Sequence, residues 1–221
     1  PRIKYGWLRV LLFFVSFFIF IAVFDLIGIA IVSSITEYSF KEYISDTELL
    51  MENKMLLLMM VCQLLGTLFT VWIFQKFVNR ESFSAIGLEF NGYKDDFVSG
   101  LIFGAGLIVI GFAILYTINF LSVASIQFSL IDQLFYLSLF AVVSLNEEIA
   151  IRGYILQNLS SSFNKYIALV LSSFAFVYIR GWNNIDFGIV EGIPSPWAIV
   201  SLLNLFLVGI LLGLYCIYKN K

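Results

Sequence analysis

Apolar residues run along this chain in blocks too long for the helices of a soluble core. Six blocks stand out, at residues 7–32, 54–77, 97–121, 131–159, 164–182 and 196–218. About 20 apolar residues in a helix cross the ~30 Å hydrocarbon core of a bilayer. Each backbone N–H and C=O must then find its partner inside the segment, which a helix provides and an open sheet edge does not. The pattern predicts an all-α, polytopic transmembrane bundle of about six spans.

The polar stretches fit that division. Residues 33–53 carry Glu37, Glu42, Asp46, Glu48 and Glu52 and are expected to form a solvated loop with a short helix at the interface. Residues 75–96 hold Lys76, Arg80, Glu81 and Lys94. Ser160-Ser161-Ser162 breaks the fourth block, whose last turns, 154–160, are expected to protrude into headgroups or water. Asn183, Asn184, Asp186, Gly188, Gly192 and Pro194 read as a loop. Pro196 opens the sixth block, a good place for proline because the first helical N–H has no partner to lose.

Within the blocks, Gln63 and Thr67 can hydrogen-bond to neighbouring helices, and Asn204 reads as packing glue. Asp25 reads as a helix-packing or interfacial carboxylate, and Arg9 as a side chain that snorkels to the headgroups. Gly100-x-x-x-Gly104 and Gly209-x-x-x-Gly213 have the spacing that lets a second helix approach closely.

Composition removes the soluble alternatives. With 61% hydrophobic and 13% charged residues, the chain has too little polar surface for a water-soluble domain of 221 residues. A single transmembrane helical domain over residues 1–221 is expected, with no soluble domain attached and no cleavable signal peptide. The net charge of −2 gives no footprint for nucleic acid, so membrane lipids are the expected surroundings, with a membrane-protein or peptide partner or substrate. Cys62 and Cys216 lie inside apolar runs and read as small core residues. Histidine is absent.

Lysine and arginine set the orientation. Six spans place Arg2, Lys4, Arg9, Lys76, Arg80, Lys94, Lys165, Lys219 and Lys221 on one side, against Lys41, Lys54 and Arg180 on the other. Both termini are therefore expected in the cytoplasm.

One stretch does not belong in lipid. Leu145-Asn146-Glu147-Glu148-Ile149-Ala150-Ile151-Arg152-Gly153 places two carboxylates and a guanidinium in the fourth block. An ionised carboxylate at bilayer depth costs several kcal/mol, on the order of 3 or more, unless it is paired, hydrated or protonated. Glu148 and Arg152 are four residues apart, share a helix face and can pair. Glu147 points about 100° away and needs a different partner. A carboxylate facing a cavity beside an arginine can serve as a general base, or the group can be a structural ion cluster.

The segment Glu147-Glu148-Ile149-Ala150-Ile151-Arg152 resembles the Glu-Glu-x-x-x-Arg signature of the CPBP family. That is the CAAX-protease and bacteriocin-processing group of intramembrane proteases, also called Abi. Phe176-Val177-Tyr178-Ile179-Arg180 resembles its second motif, Phe-x-x-x-His, and Asn183 follows as in a Gly-x-Asn. Asn204 to Gly213 resembles its Gly-x-x-x-Gly helix. The ordered set covers residues 131–218. In this resemblance a glutamate pair and two histidines activate a water for peptide hydrolysis, with or without a divalent metal such as zinc. Glu147 carries over as the candidate base, Glu148 as its neighbour and Arg152 as the charge that orients the pair. Asn183 carries over as a polar wall, and Glu147 is the one candidate metal ligand.

The departures matter. Arg180 stands at the family's histidine position, and the last motif, His-x-x-x-Asn or Asp, would begin after Lys221. A guanidinium has no acceptor lone pair and stays protonated, so it cannot replace imidazole. No cofactor is expected for the chain as written. Two functions are implied: an impaired intramembrane protease of a bacterial plasma membrane, or a non-catalytic relative that binds a membrane partner. A small transporter or channel subunit is the class outside the resemblance. Arg180 is expected to meet Glu147 as an ion pair, leaving Arg152 for Glu148.

Overall fold

The computed structural model describes residues 1–46, 49–50, 55–87, 94–125, 128–181 and 196–219. Among them the chain is all-helical: α1 Gly6–Ile35, α2 Phe40–Ser45, α3 Leu56–Ile73, α4 Lys94–Thr117, α5 Leu130–Glu148, α6 Lys165–Gly181 and α7 Pro196–Lys219. Two helices continue in π geometry, α3 through Phe74–Asn79 and α5 through Ile149–Leu156. A last α turn, Gln157–Ser160, follows the second. Five helices are long and apolar enough to cross a membrane: Gly6–Ile35, Leu56–Asn79, Phe97–Thr117, Leu130–Ser160 and Ala198–Tyr218. α6, with 17 residues, is about 26 Å long at 1.5 Å per residue, a little under the hydrocarbon thickness. The protein is an integral membrane protein.

The chain divides into two compact units, Pro1–Ile86 with Tyr136–Lys221, and Gly87–Phe135. The smaller contains α4, which closes through Asn119 in the left-handed region (φ 57°) with Phe120 N–H donating to the Leu115 carbonyl at 2.9 Å.

The larger unit is built around the π segment Ile149–Leu156, every residue of which is buried. Tyr154 is its anchor. Its ring stacks on Phe13 of α1 at 4.2 Å and meets Phe74 edge-on at 5.7 Å, while Phe13 meets Phe74 edge-on at 5.4 Å. Val10, Phe17, Val71, Ile151, Ile155, Ala168 and Phe176 complete the core. Aromatic pairs of this geometry add about 0.5–1.5 kcal/mol each beyond burial, so the cluster fixes the rotation of the π segment. The turns 154–160, expected to stand clear of the bundle, are instead largely packed: Ile155, Leu156, Asn158 and Leu159 are buried with Tyr154. Their residues face α1 and α6, which the one-dimensional pattern cannot reveal.

α6 and α7 approach through glycine. A Cβ on Gly209 would lie 3.0 Å from Ser173 Cβ and 3.2 Å from its Cα, and one on Gly213 would strike Leu169 Cδ1. In α4, within its own unit, a Cβ on Gly100 or Gly104 would meet nothing within 4 Å. Asn204, expected as packing glue, is exposed on α7.

Candidate functional site

The two glutamates end α5 at the point where it passes from α to π geometry. A π segment widens the turn and is frequent at functional sites. Here it carries Arg152 along a fully buried stretch, one turn beyond Glu148. Arg152 Nη1 lies 3.0 Å from Glu148 Oε1, with 4% of the arginine side chain and 42% of the glutamate side chain exposed. The guanidinium carbon sits 4.8 Å from the centre of the Phe176 ring. Nη2 donates to the Gly209 carbonyl at 3.5 Å, a long bond that ties α5 to α7. Gly209 therefore serves twice, by letting α6 come close and by presenting a carbonyl to Arg152.

Glu147 turns to a different neighbour, as the 100° offset requires. Arg180 Nη1, on α6, lies 2.6 Å from Glu147 Oε1, with 40% and 19% of the two side chains exposed. The expected pairing is present in both halves. Two carboxylates and two guanidiniums balance within the bundle, and each guanidinium reaches its carboxylate from a separate side.

Asn146 is a part of the site that sequence reasoning did not use. Its side-chain oxygen accepts a hydrogen bond from Thr67 Oγ1 of α3, and Thr67 is fully buried. This pins α5 one residue before the glutamate pair. Thr67 and Gln63, both expected to bond across helices, do so: Gln63 Nε2 donates to Asp25 Oδ2 at 3.3 Å. The partner of Thr67 was not readable, because the distance between residues 67 and 146 along the chain carries no periodic signal.

A second polar cluster lies where α1 begins. Arg9, expected to snorkel, is buried at 6% exposure. Its Nη1 donates to Asn79 Oδ1 at 3.1 Å and its Nη2 to Ser161 Oγ at 2.7 Å. Asn79 in turn donates to Gln75 Oε1 at 2.7 Å. The guanidinium is thus held by neutral acceptors from the ends of α3 and α5.

Asn183 lies outside the described residues. Among the described residues no group of three His, Cys, Asp or Glu side chains could hold a metal ion. Catalytic zinc sites use three protein ligands of nitrogen, sulfur or oxygen type. Among the described residues the two site carboxylates are engaged by guanidiniums, and the sequence holds no histidine, so the donors described here do not fit a zinc ion.

Residues 129–221 match the family model described as type II CAAX prenyl endopeptidase Rce1-like. The match covers less than half of the chain and supports its likeness to the CPBP family over that region. The matched segment contains all of α5, α6 and α7, and with them the Glu148–Arg152 and Glu147–Arg180 ion pairs. No curated protein and no solved structure matches the chain.

Proposed function

We propose that this chain is a CPBP-type intramembrane protease-like protein whose peptide hydrolysis is impaired by Arg180. The observation that carries the reading is the 2.6 Å contact between Arg180 Nη1 and Glu147 Oε1. To activate water, a carboxylate must offer a lone pair to the water proton and have a neighbouring group that can pass or hold that proton. A guanidinium occupies the Glu147 oxygen and has only N–H donors to offer. Arg152 holds Glu148 in the same way, so neither glutamate is poised as a base. The protein is read as lying in a bacterial plasma membrane with both termini cytoplasmic, its glutamates in the cytoplasmic half of α5.

The same pairing favours a second reading, in which the fold binds a membrane-protein or peptide segment without cutting it. Purified protein incubated with prenylated and unmodified membrane peptides separates these readings from an active protease. The expected result is no cleavage above that of Glu147→Ala. Robust cleavage that disappears in Glu147→Ala would overturn the proposal.

A further inference from the structure

An apolar groove opens on the larger unit, lined by Phe24 of α1, by Leu65, Leu68, Phe69 and Trp72 of α3, and by Phe83. Its lining is almost wholly carbon, and it lies along two helices that are long and apolar enough to cross a membrane. Rigid aromatic side chains shape it: Phe69 meets Phe24 at 6.0 Å and Trp72 at 6.1 Å between ring centres. Gly66 allows the two helices to close behind it, since a Cβ there would lie 3.2 Å from Phe24 Cβ.

One end of this groove is basic. The Lys76 ammonium stands 4.9 Å from the Trp72 ring centre and 5.6 Å from that of Phe77, and it is exposed. Arg80, also exposed, follows in the left-handed region at φ 59° and ends the π segment. Arg2 N–H donates to the Val78 carbonyl at 2.7 Å, which brings exposed Arg2 beside this stretch. Glu81 is the acidic residue in this stretch, so cations outnumber it.

We propose that the groove is a binding site for an anionic phospholipid, with an acyl chain along Phe24, Leu65, Phe69 and Trp72 and the phosphate at Lys76. An indole beside an ammonium at the end of an apolar groove matches the order of chain, interface and phosphate in such a lipid. Basic side chains near a membrane surface favour anionic lipid by about fivefold each, which gives the site its charge preference. The inference does not depend on whether the glutamates are catalytic.

The test uses Trp72 as its own reporter. The full chain carrying Trp7→Phe, Trp182→Phe and Trp197→Phe is reconstituted into phosphatidylcholine vesicles. Brominated phosphatidylglycerol or brominated phosphatidylcholine is then added at equal fractions, and indole quenching is read. Quenching by the anionic lipid should show a several-fold higher relative affinity, and Lys76→Gln should bring the two lipids to near equality. Raising the salt concentration should erode the preference in the unsubstituted groove, which keeps the test decisive if Lys76→Gln does not fold. Equal quenching by both lipids would reduce the site to ordinary surrounding lipid and overturn the proposal. Absence of quenching by either lipid, as when a second copy covers the groove, would also overturn it. So would a preference that survives both Lys76→Gln and high salt.

Discussion

Arg180 of α6 reaches across the bundle to Glu147 of α5, at 2.6 Å between Nη1 and Oε1, while Arg152 stays on its own helix with Glu148. Two adjacent carboxylates are thereby held by guanidiniums of different origin and different burial. The more buried of the two, Arg152, has the larger structural part.

Arg152→Ala should therefore be the most damaging change in the site. It strands Glu148, removes the stacking on Phe176 and frees the Gly209 carbonyl. Breaking one partner of a fully buried pair costs about 3–5 kcal/mol; with the Glu148 side chain 42% exposed, a loss of about 2–3 kcal/mol is expected. Arg152→Lys should recover only part, because an ammonium cannot stack and fork as a guanidinium does. Unfolding midpoints in detergent check both variants; near-native stability of Arg152→Ala would contradict the structural role.

The glycines of α7 and α4 should respond in opposite ways. Gly209→Ala pushes a methyl against the Cβ and Cα of Ser173, and overpacking of this kind costs about 1–3 kcal/mol. Gly104→Ala meets nothing within 4 Å in its own unit and should cost nothing measurable. Parallel unfolding of the two variants is the check, and equal losses would refute the assignment.

Much of this was legible in the sequence, and for simple reasons. Spans are set by apolar run length, so the bounds of the span Leu130–Ser160 and of α7 fall within a residue or two of those expected. The 100° offset showed only that Glu147 needs a partner off its own helix; that Arg180 supplies it followed from the family resemblance, in which its helix faces the glutamates. What could not be read depends on three-dimensional approach. Arg9 has the sequence context of a snorkelling residue, but Asn79 and Ser161 come to it from distant segments and keep it buried. The π segments carry Phe74 and Tyr154, whose rings pack edge-on, and no hydrophobic period of 3.6 announces them. Asn183, expected as a polar wall, falls outside the described residues.

α1 crosses the membrane between residue 2 and residue 45 in this account. Arg2→Cys and Ser45→Cys, each in a background with Cys62→Ser and Cys216→Ser, should label from opposite sides of sealed vesicles. Arg2→Cys should be reached from the cytoplasmic side. Labelling of both from one side would overturn the topology.

The short helix α2 should be sensitive to pH. Ser39 caps it, with its hydroxyl and its N–H each donating to Glu42 Oε2 at 2.6 Å. Those bonds, the hydroxyl first, hold the Glu42 carboxyl below its ordinary value of 4.5. A depressed carboxylate pKa contributes stability that is complete above the ordinary value and is lost as pH falls through the lowered one. Amide-exchange protection over Phe40–Ser45 should drop on acidification in that window and should be flat with pH in Glu42→Gln. Unchanged protection in the parent would contradict the capping role.

The claim that Arg180 occupies the candidate base is tested most directly by a double-mutant cycle in detergent with Glu147→Gln, Arg180→Met and the two combined. Each single change should lower stability. Arg180→Met should cost about 1–2 kcal/mol, below the figure for a fully buried pair because the arginine is 40% exposed. The combined variant should recover much of the loss, giving a clear coupling energy. Strictly additive losses would mean that the two side chains do not hold each other, and the account of the site would fall.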